Sequence, residues 1–185
     1  MEREWHIFGK MLEVASARIG PAYFQLPVAD ADAVYRERVY CYELYHQLRC
    51  VWEHFPFSLD GEVDKSGHPR FKDGPYARAK PDLLVHEPGN MDRNLACVEV
   101  KPFNRPADEF AADLRKLTWF CRHASYHHGV FIMYGIQEQA NAEAAAALKA
   151  KVQAASTLFE DIDMALIRVF HHSSRGDVVR LLKFE

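Results

Sequence analysis

Apolar residues recur at three- and four-residue spacing over residues 1 to about 19, where Trp5, Phe8, Met11, Leu12 and Ala15 share one side. That periodicity predicts an amphipathic helix capping the core, and Gly20-Pro21 ends it. A second helical pattern runs from about Ala31 to Glu53, with Val34, Cys41, Leu44, Leu48 and Val51 as its stripe and Asp30 or Asp32 as its cap. Turn formers follow: Pro56, Asp60-Gly61, Ser66-Gly67 and Pro69 surround a short predicted strand holding Phe57, Leu59 and Val63. Next, two apolar runs, Leu83-Leu84-Val85 and Leu95-Ala96-Cys97-Val98, flank Pro88, Gly89 and Asn90. Turn residues between two β-prone runs predict a hairpin.

A third helix is predicted from Ala107 to His123, with Phe110, Leu114, Leu117, Phe120 and Cys121 on its apolar face. The compact run Gly129 to Gly135 suits a central strand buried on both sides. Alanine-rich Glu138 to Phe159 is strongly helix-forming and reads as a packing layer. Ile162 to Phe170 and Val178 to Phe184 are predicted late strands, a closing hairpin around Ser173 to Asp177. The expected fold class is α/β, a mixed β-sheet with helices on both faces. A length of 185 residues suits one domain spanning 1–185.

The hairpin carries the unusual chemistry. Asp82 opens its first strand, and Glu99 and Lys101 close its second. Residues two apart on a strand point the same way, so Glu99 and Lys101 share a face. Asp82 and Glu99 lie equally far from the loop centre near Asn90, and an antiparallel register sets them side by side. Two carboxylates and an ammonium would then gather at the open end of the hairpin, among apolar neighbours.

Pro81-Asp82, a spacer, and Glu99-Val100-Lys101 resemble the PD-(D/E)xK motif of the restriction-endonuclease-like nuclease superfamily. The element order around them is similar to that superfamily's αβββαβ core over residues 30 to 135. The resemblance implies a metal-dependent nuclease, most often acting on DNA, with RNA left open by the sequence. It implies Mg²⁺ as the ion, with Mn²⁺ as a substitute. Asp82 and Glu99 would be ligands, joined by the Val100 carbonyl, and Lys101 would be catalytic. A glutamate on the preceding helix often completes such a site, and here the match falls on Glu43, with Glu37 and Glu53 as lesser candidates.

Arg70, Lys72, Arg78 and Lys80, interleaved with Phe71 and Tyr76, suit a loop that contacts phosphates. A merely solvated loop reads equally well. Lys116, one turn after Asp113, is a further candidate phosphate contact. In some members of the superfamily a lysine on this helix faces the active site, although an exposed lysine is the simpler expectation.

Net charge is −3, which argues against coating nucleic acid by overall charge but allows a local basic groove. Cysteines at 41, 50, 97 and 121 show no paired spacing and read as free thiols, buried where they fall in core elements. The ten histidines include His127-His128 and His171-His172. No HExxH spacing appears, and adjacent histidines on a strand should face opposite sides, so neither pair is expected to chelate. No apolar run reaches membrane-spanning length, and the start MEREWHIFGK is too mixed for a targeting segment, so a cytoplasmic protein is expected. Specificity would come from loops, a homodimer or a larger complex. The competing reading is a non-catalytic scaffold of the same fold that binds nucleic acid or a protein partner.

Overall fold

The computed structural model describes residues 1–63, 71, 74–135 and 142–184. In chain order it contains α1 (Glu2–Ala17), α2 (Pro21–Phe24), β1 (Leu26–Val28), β2 (Ala31–Val34), α3 (Glu37–Cys50) and β3 (Ser58–Gly61). The hairpin strands β4 (Leu83–His86) and β5 (Asn94–Pro102) follow, then α4 (Ala107–Ala124) and β6 (Tyr126–Tyr134). The chain closes with α5 (Ala142–Ser156), β7 (Ile167–His172) and β8 (Arg180–Leu181). Strands β3 to β8 lie side by side in chain order in one six-stranded mixed sheet. The β3–β4, β4–β5 and β7–β8 pairs are antiparallel, and β5–β6 and β6–β7 are parallel. Parallel neighbours need a crossover, which α4 and α5 provide.

Alternation along the strands divides the interior in two. Leu83, Val85, Val98, Val100, Val130 and Ile132 face α1 and α3 and pack with Phe8, Leu12, Tyr40 and Leu44. Leu84, Cys97, Phe131 and Met133 face the other way, against Phe110, Leu114 and Leu117 of α4 and Val152 of α5. A central sheet covered on both sides must be apolar on both sides, which is why β5 and β6 read as unbroken hydrophobic runs. At Gly129 a side chain would meet Leu117 Cβ at 2.9 Å. The glycine therefore sets how closely α4 can lie on β6.

Several boundaries differ from the sequence reading. The helix expected from Ala31 begins only at Glu37, and residues 31–34 form β2, paired antiparallel with β1. Asp30 turns this hairpin with φ 56° and caps no helix; Arg36, extended, stands at the N-cap without a side-chain bond. Val63 falls outside the short β3. Strand β6 starts at Tyr126, earlier than expected, because Ser125 adopts a left-handed conformation and ends α4 in a single residue. At its other end Gly135, with φ 89°, turns the chain away. Residues 164–166 form a 3₁₀ turn, so the late strand begins at Ile167, and its partner β8 is reduced to two residues. The start of the alanine-rich helix, at Glu138, lies outside the described residues. Cys41, Cys97 and Cys121 are buried free thiols, and Cys50 is exposed. Among the described residues no helix is long and apolar enough to cross a membrane.

Candidate active site

The β4–β5 register pairs Leu83 with Val98 and Leu84 with Cys97; carried one residue further, it sets Asp82 opposite Glu99. The Asp82 carboxylate also accepts the Val100 backbone N–H at 2.7 Å, which ties the two strands at that level. The hairpin thus sets Asp82 beside Glu99, helped by a one-residue register shift between Val85 and His86. Strand β5 is internal, between β4 and β6, so Glu99 and Lys101 are no surface ion pair. Glu99 is buried, on the face that α4 covers.

Helix α4 completes the site. Asp113 sits inside its apolar stripe, three residues after Phe110 and four before Leu117, and is buried with them. Lys116 Nζ lies 2.8 Å from Glu99 Oε1 and 3.1 Å from Asp113. Lys101 Nζ lies 3.1 Å from the other Asp113 oxygen and 2.9 Å from Glu37, at the first turn of α3. Acids and lysines therefore alternate in one chain, Glu37–Lys101–Asp113–Lys116–Glu99, with Asp82 beside Glu99. Four carboxylates face two ammoniums, an excess of two negative charges when all are ionised.

Burial makes that excess costly. It pushes the Asp82 carboxyl up to about 6, against the Val100 N–H that favours its ionised form; Glu37 adds further repulsion. Glu99 is raised well above the usual carboxylate range, first by burial and then by the charge of Asp82, with Lys116 opposing. Burial alone would lower the Lys101 ammonium, but Asp113 and Glu37 outweigh it and hold it above its ordinary value. Lys116 is held up in the same way by Glu99 and Asp113, against its burial. Their carboxylate partners thus favour the charged form of both lysines.

The helix glutamate that reaches the cluster is Glu37. Glu43 instead accepts a hydrogen bond from Gln47 at 2.7 Å, one turn along α3. Glu37 and Cys41 are four apart and share the inward side of α3, whereas Glu43 lies on its flank. The burial-raised Cys41 thiol feels Asp82, Glu37 and Glu99, consistent with that orientation. Glu53 is exposed beyond the helix end.

Lys116, expected to be exposed, is largely buried in its two ion pairs. Arg78 and Lys80 are exposed on the loop leading into Asp82. Arg70 and Lys72 lie outside the described residues. Phe71 and Tyr76 are not offered to bases: both rings pack on Trp119 of α4, at 5.3 and 5.6 Å between centroids, and anchor the loop.

Beside the acids opens a pocket of about 370 Å³, with Glu37, Cys41, Tyr42, Tyr45, Glu62 and Asp82 in its wall and Arg38 at its rim. A second cleft, of about 380 Å³, is lined by Arg36 and Arg105, next to Glu37 and to the end of β5. The sequence reading missed three of these contributors. Asp113 could have been found as an acid interrupting an apolar helical stripe, whereas Arg36 and Arg105 meet only in the folded chain.

Fold and cluster together define a mixed α/β protein with a lysine-bridged carboxylate site at the end of its central hairpin. No protein-family model, curated protein or solved structure gives a significant match to the chain.

Proposed function

We propose that the chain is a metal-dependent nuclease of the restriction-endonuclease-like kind, hydrolysing phosphodiester bonds in DNA, in defence against foreign DNA or in repair. The observation that carries this reading is that Asp82 and Glu99 stand side by side, with Lys101 joined to them through the ion-paired Asp113 and Lys116. The run of elements from α3 through β3, β4, β5 and α4 to β6 supports it, being the order of that superfamily's core.

The donor set suits Mg²⁺ or Mn²⁺. Carboxylate oxygens are hard ligands, and the excess of two negative charges in a desolvated site is what a divalent cation offsets. Asp82 and Glu99 would hold the ion, with the Val100 carbonyl, and Glu37 takes the place expected of Glu43. When bound, the ion supplies charge against the developing phosphorane and makes water a stronger acid. Lys101, kept protonated by Glu37 and Asp113, places a fixed positive charge beside the scissile phosphate. Lys116 holds Glu99 in its orientation. Arg78 and Lys80, both exposed, would contact the strand entering the site, and Tyr42 and Tyr45, in the wall of the adjoining pocket, would stack on a nucleotide there.

The scaffold reading is favoured by one observation: Glu99, Asp113 and Glu37 already stand in ion pairs with Lys116 and Lys101. Cleavage of supercoiled plasmid and single-stranded DNA with Mg²⁺, Mn²⁺ or EDTA, wild type beside Glu99→Ala, separates the two. Metal-dependent cutting lost in the variant is the expected result. Absence of cutting together with absence of Mn²⁺ binding by calorimetry would establish the scaffold.

A further inference from the structure

A second group of ligating side chains lies on the other face of the sheet. His128, the third residue of β6, lies opposite Ala96, three residues before the level of Glu99, and has the strand parity of Val130, which faces α1. Glu2 of α1, His127 and His128 each present one donor atom, and the three atoms lie within 4.8 Å of one another. His127 Nε2 stands 2.9 Å from Glu2 Oε1, and the two imidazole centroids are 4.4 Å apart. Neighbouring histidines were expected to face apart; here both rings meet the first turn of α1.

The Glu2–His127 contact alone would be an ordinary surface pair. His128 is what it leaves unexplained. Its side chain is 8% exposed, and its Nδ1 is buried with no hydrogen-bond partner. Leaving a buried polar atom unpaired is costly, so such atoms call for a ligand. A buried imidazole nitrogen without a partner, beside a second imidazole and a carboxylate, is open to a metal ion.

We propose that Glu2, His127 and His128 bind a borderline divalent cation, Zn²⁺ first among them, clasping the first turn of α1 to the start of β6. Two imidazoles and a carboxylate match zinc and its transition-metal neighbours, whereas Mg²⁺ prefers oxygen donors throughout. Glu2, 81% exposed, is the ligand free to swing into place. Trp5, whose ring centroid is 4.5 Å from that of His128, reports on the site.

The test uses the full chain without a histidine tag, stripped with EDTA and then freed of it. Zn²⁺ is titrated by calorimetry, and Co²⁺ by visible absorption and by quenching of tryptophan emission. One equivalent should bind, raise the melting temperature, and be unaffected by excess Mg²⁺. His127→Ala and Glu2→Ala, both at accessible positions, should each weaken Zn²⁺ binding by about tenfold or more while the metal-free protein melts as wild type does. Glu99→Ala should leave this binding event intact, which separates it from the acidic cluster. No Zn²⁺ binding, or equal affinity in His127→Ala, overturns the proposal.

Discussion

Lys116 on α4 reaches across to Glu99 on β5, with 2.8 Å between Nζ and Oε1. The motif glutamate is therefore held by a residue 17 positions further on. Removing its charge leaves Lys116 still paired with Asp113, so Glu99→Gln should fold. We expect this variant to lose metal-dependent cleavage completely and to melt at or above the wild-type temperature, because one carboxylate of a repelling group is gone. A large fall in stability, measured by thermal unfolding, would contradict this account of the site.

Lys101 is a different case. It bridges Glu37 and Asp113, and Lys101→Met leaves both carboxylates facing a partly buried apolar side chain. Breaking such pairs costs about 3–5 kcal/mol. Cleavage should disappear while Mn²⁺ binding persists or tightens, and added Mn²⁺ should recover part of the lost stability. Calorimetry and melting with and without the ion check both halves. Cutting at the wild-type rate would remove Lys101 from the mechanism.

Asp82 makes stability depend on pH in a stated direction. Burial raises its carboxyl to about 6 in the folded chain, with the Val100 N–H opposing and Glu37 adding, whereas an unfolded aspartate titrates near 3.9. The folded state therefore binds the proton more tightly. The resulting stabilisation is complete below about pH 4 and is lost as pH rises through about 6. The two units correspond to about 3 kcal/mol at most. Asp82→Asn keeps an acceptor for the Val100 N–H and should flatten this part of the curve. Mg²⁺, competing with protons, should stabilise wild type more near pH 7 than near pH 5. An unchanged pH profile in the variant would show that Asp82 is not the group responsible.

For nucleic acid, charge reversal at Arg78 or Lys80 should weaken DNA binding and reduce its salt dependence by about one phosphate contact each. Filter binding or anisotropy across a salt series, with the metal replaced by Ca²⁺ to block turnover, measures both. Unchanged affinity and slope would make the loop a solvated one.

Packing offers a test independent of function. Gly129→Ala places a methyl group 2.9 Å from Leu117 Cβ, where α4 lies on β6. Overpacking of this kind costs about 1–3 kcal/mol. Since α4 also carries Asp113 and Lys116, cleavage should fall together with stability, as denaturant titration and plasmid assays would show.

The helices α1, α3 and α4 and the central strands were legible because each buries a stripe or run whose spacing matches its geometry. The pairing of Asp82 with Glu99 was legible for a simpler reason: a hairpin is nearly symmetric about its turn, and the register shift beside Val85 moves the partners by only one residue. What stayed hidden depended on rotation or on distance along the chain. A start for α3 at Ala31 hid the inward turn of Glu37 and favoured Glu43, one residue off the Leu44 position. The residues before Glu37 carry alanines and acids that suit a helix locally, yet Asp30 turns them into a hairpin. Asp113 was visible only as the partner of Lys116, because its other counter-ion, Lys101, comes from β5. His127 and His128 were judged by strand alternation alone, which says nothing about Glu2 arriving from the other end of the chain.

The acidic network draws on α3, the entry to β4, the end of β5 and the middle of α4, from Glu37 to Lys116. No two of its carboxylates come from the same element, so a partial fold holds at most a fragment of it. A ribosome-bound chain shorter than residue 116 lacks Lys116 altogether, and a molecule whose α4 has come loose loses two members at once. The cluster, and with it the activity proposed for it, belongs to the finished tertiary structure and to no intermediate on the way to it.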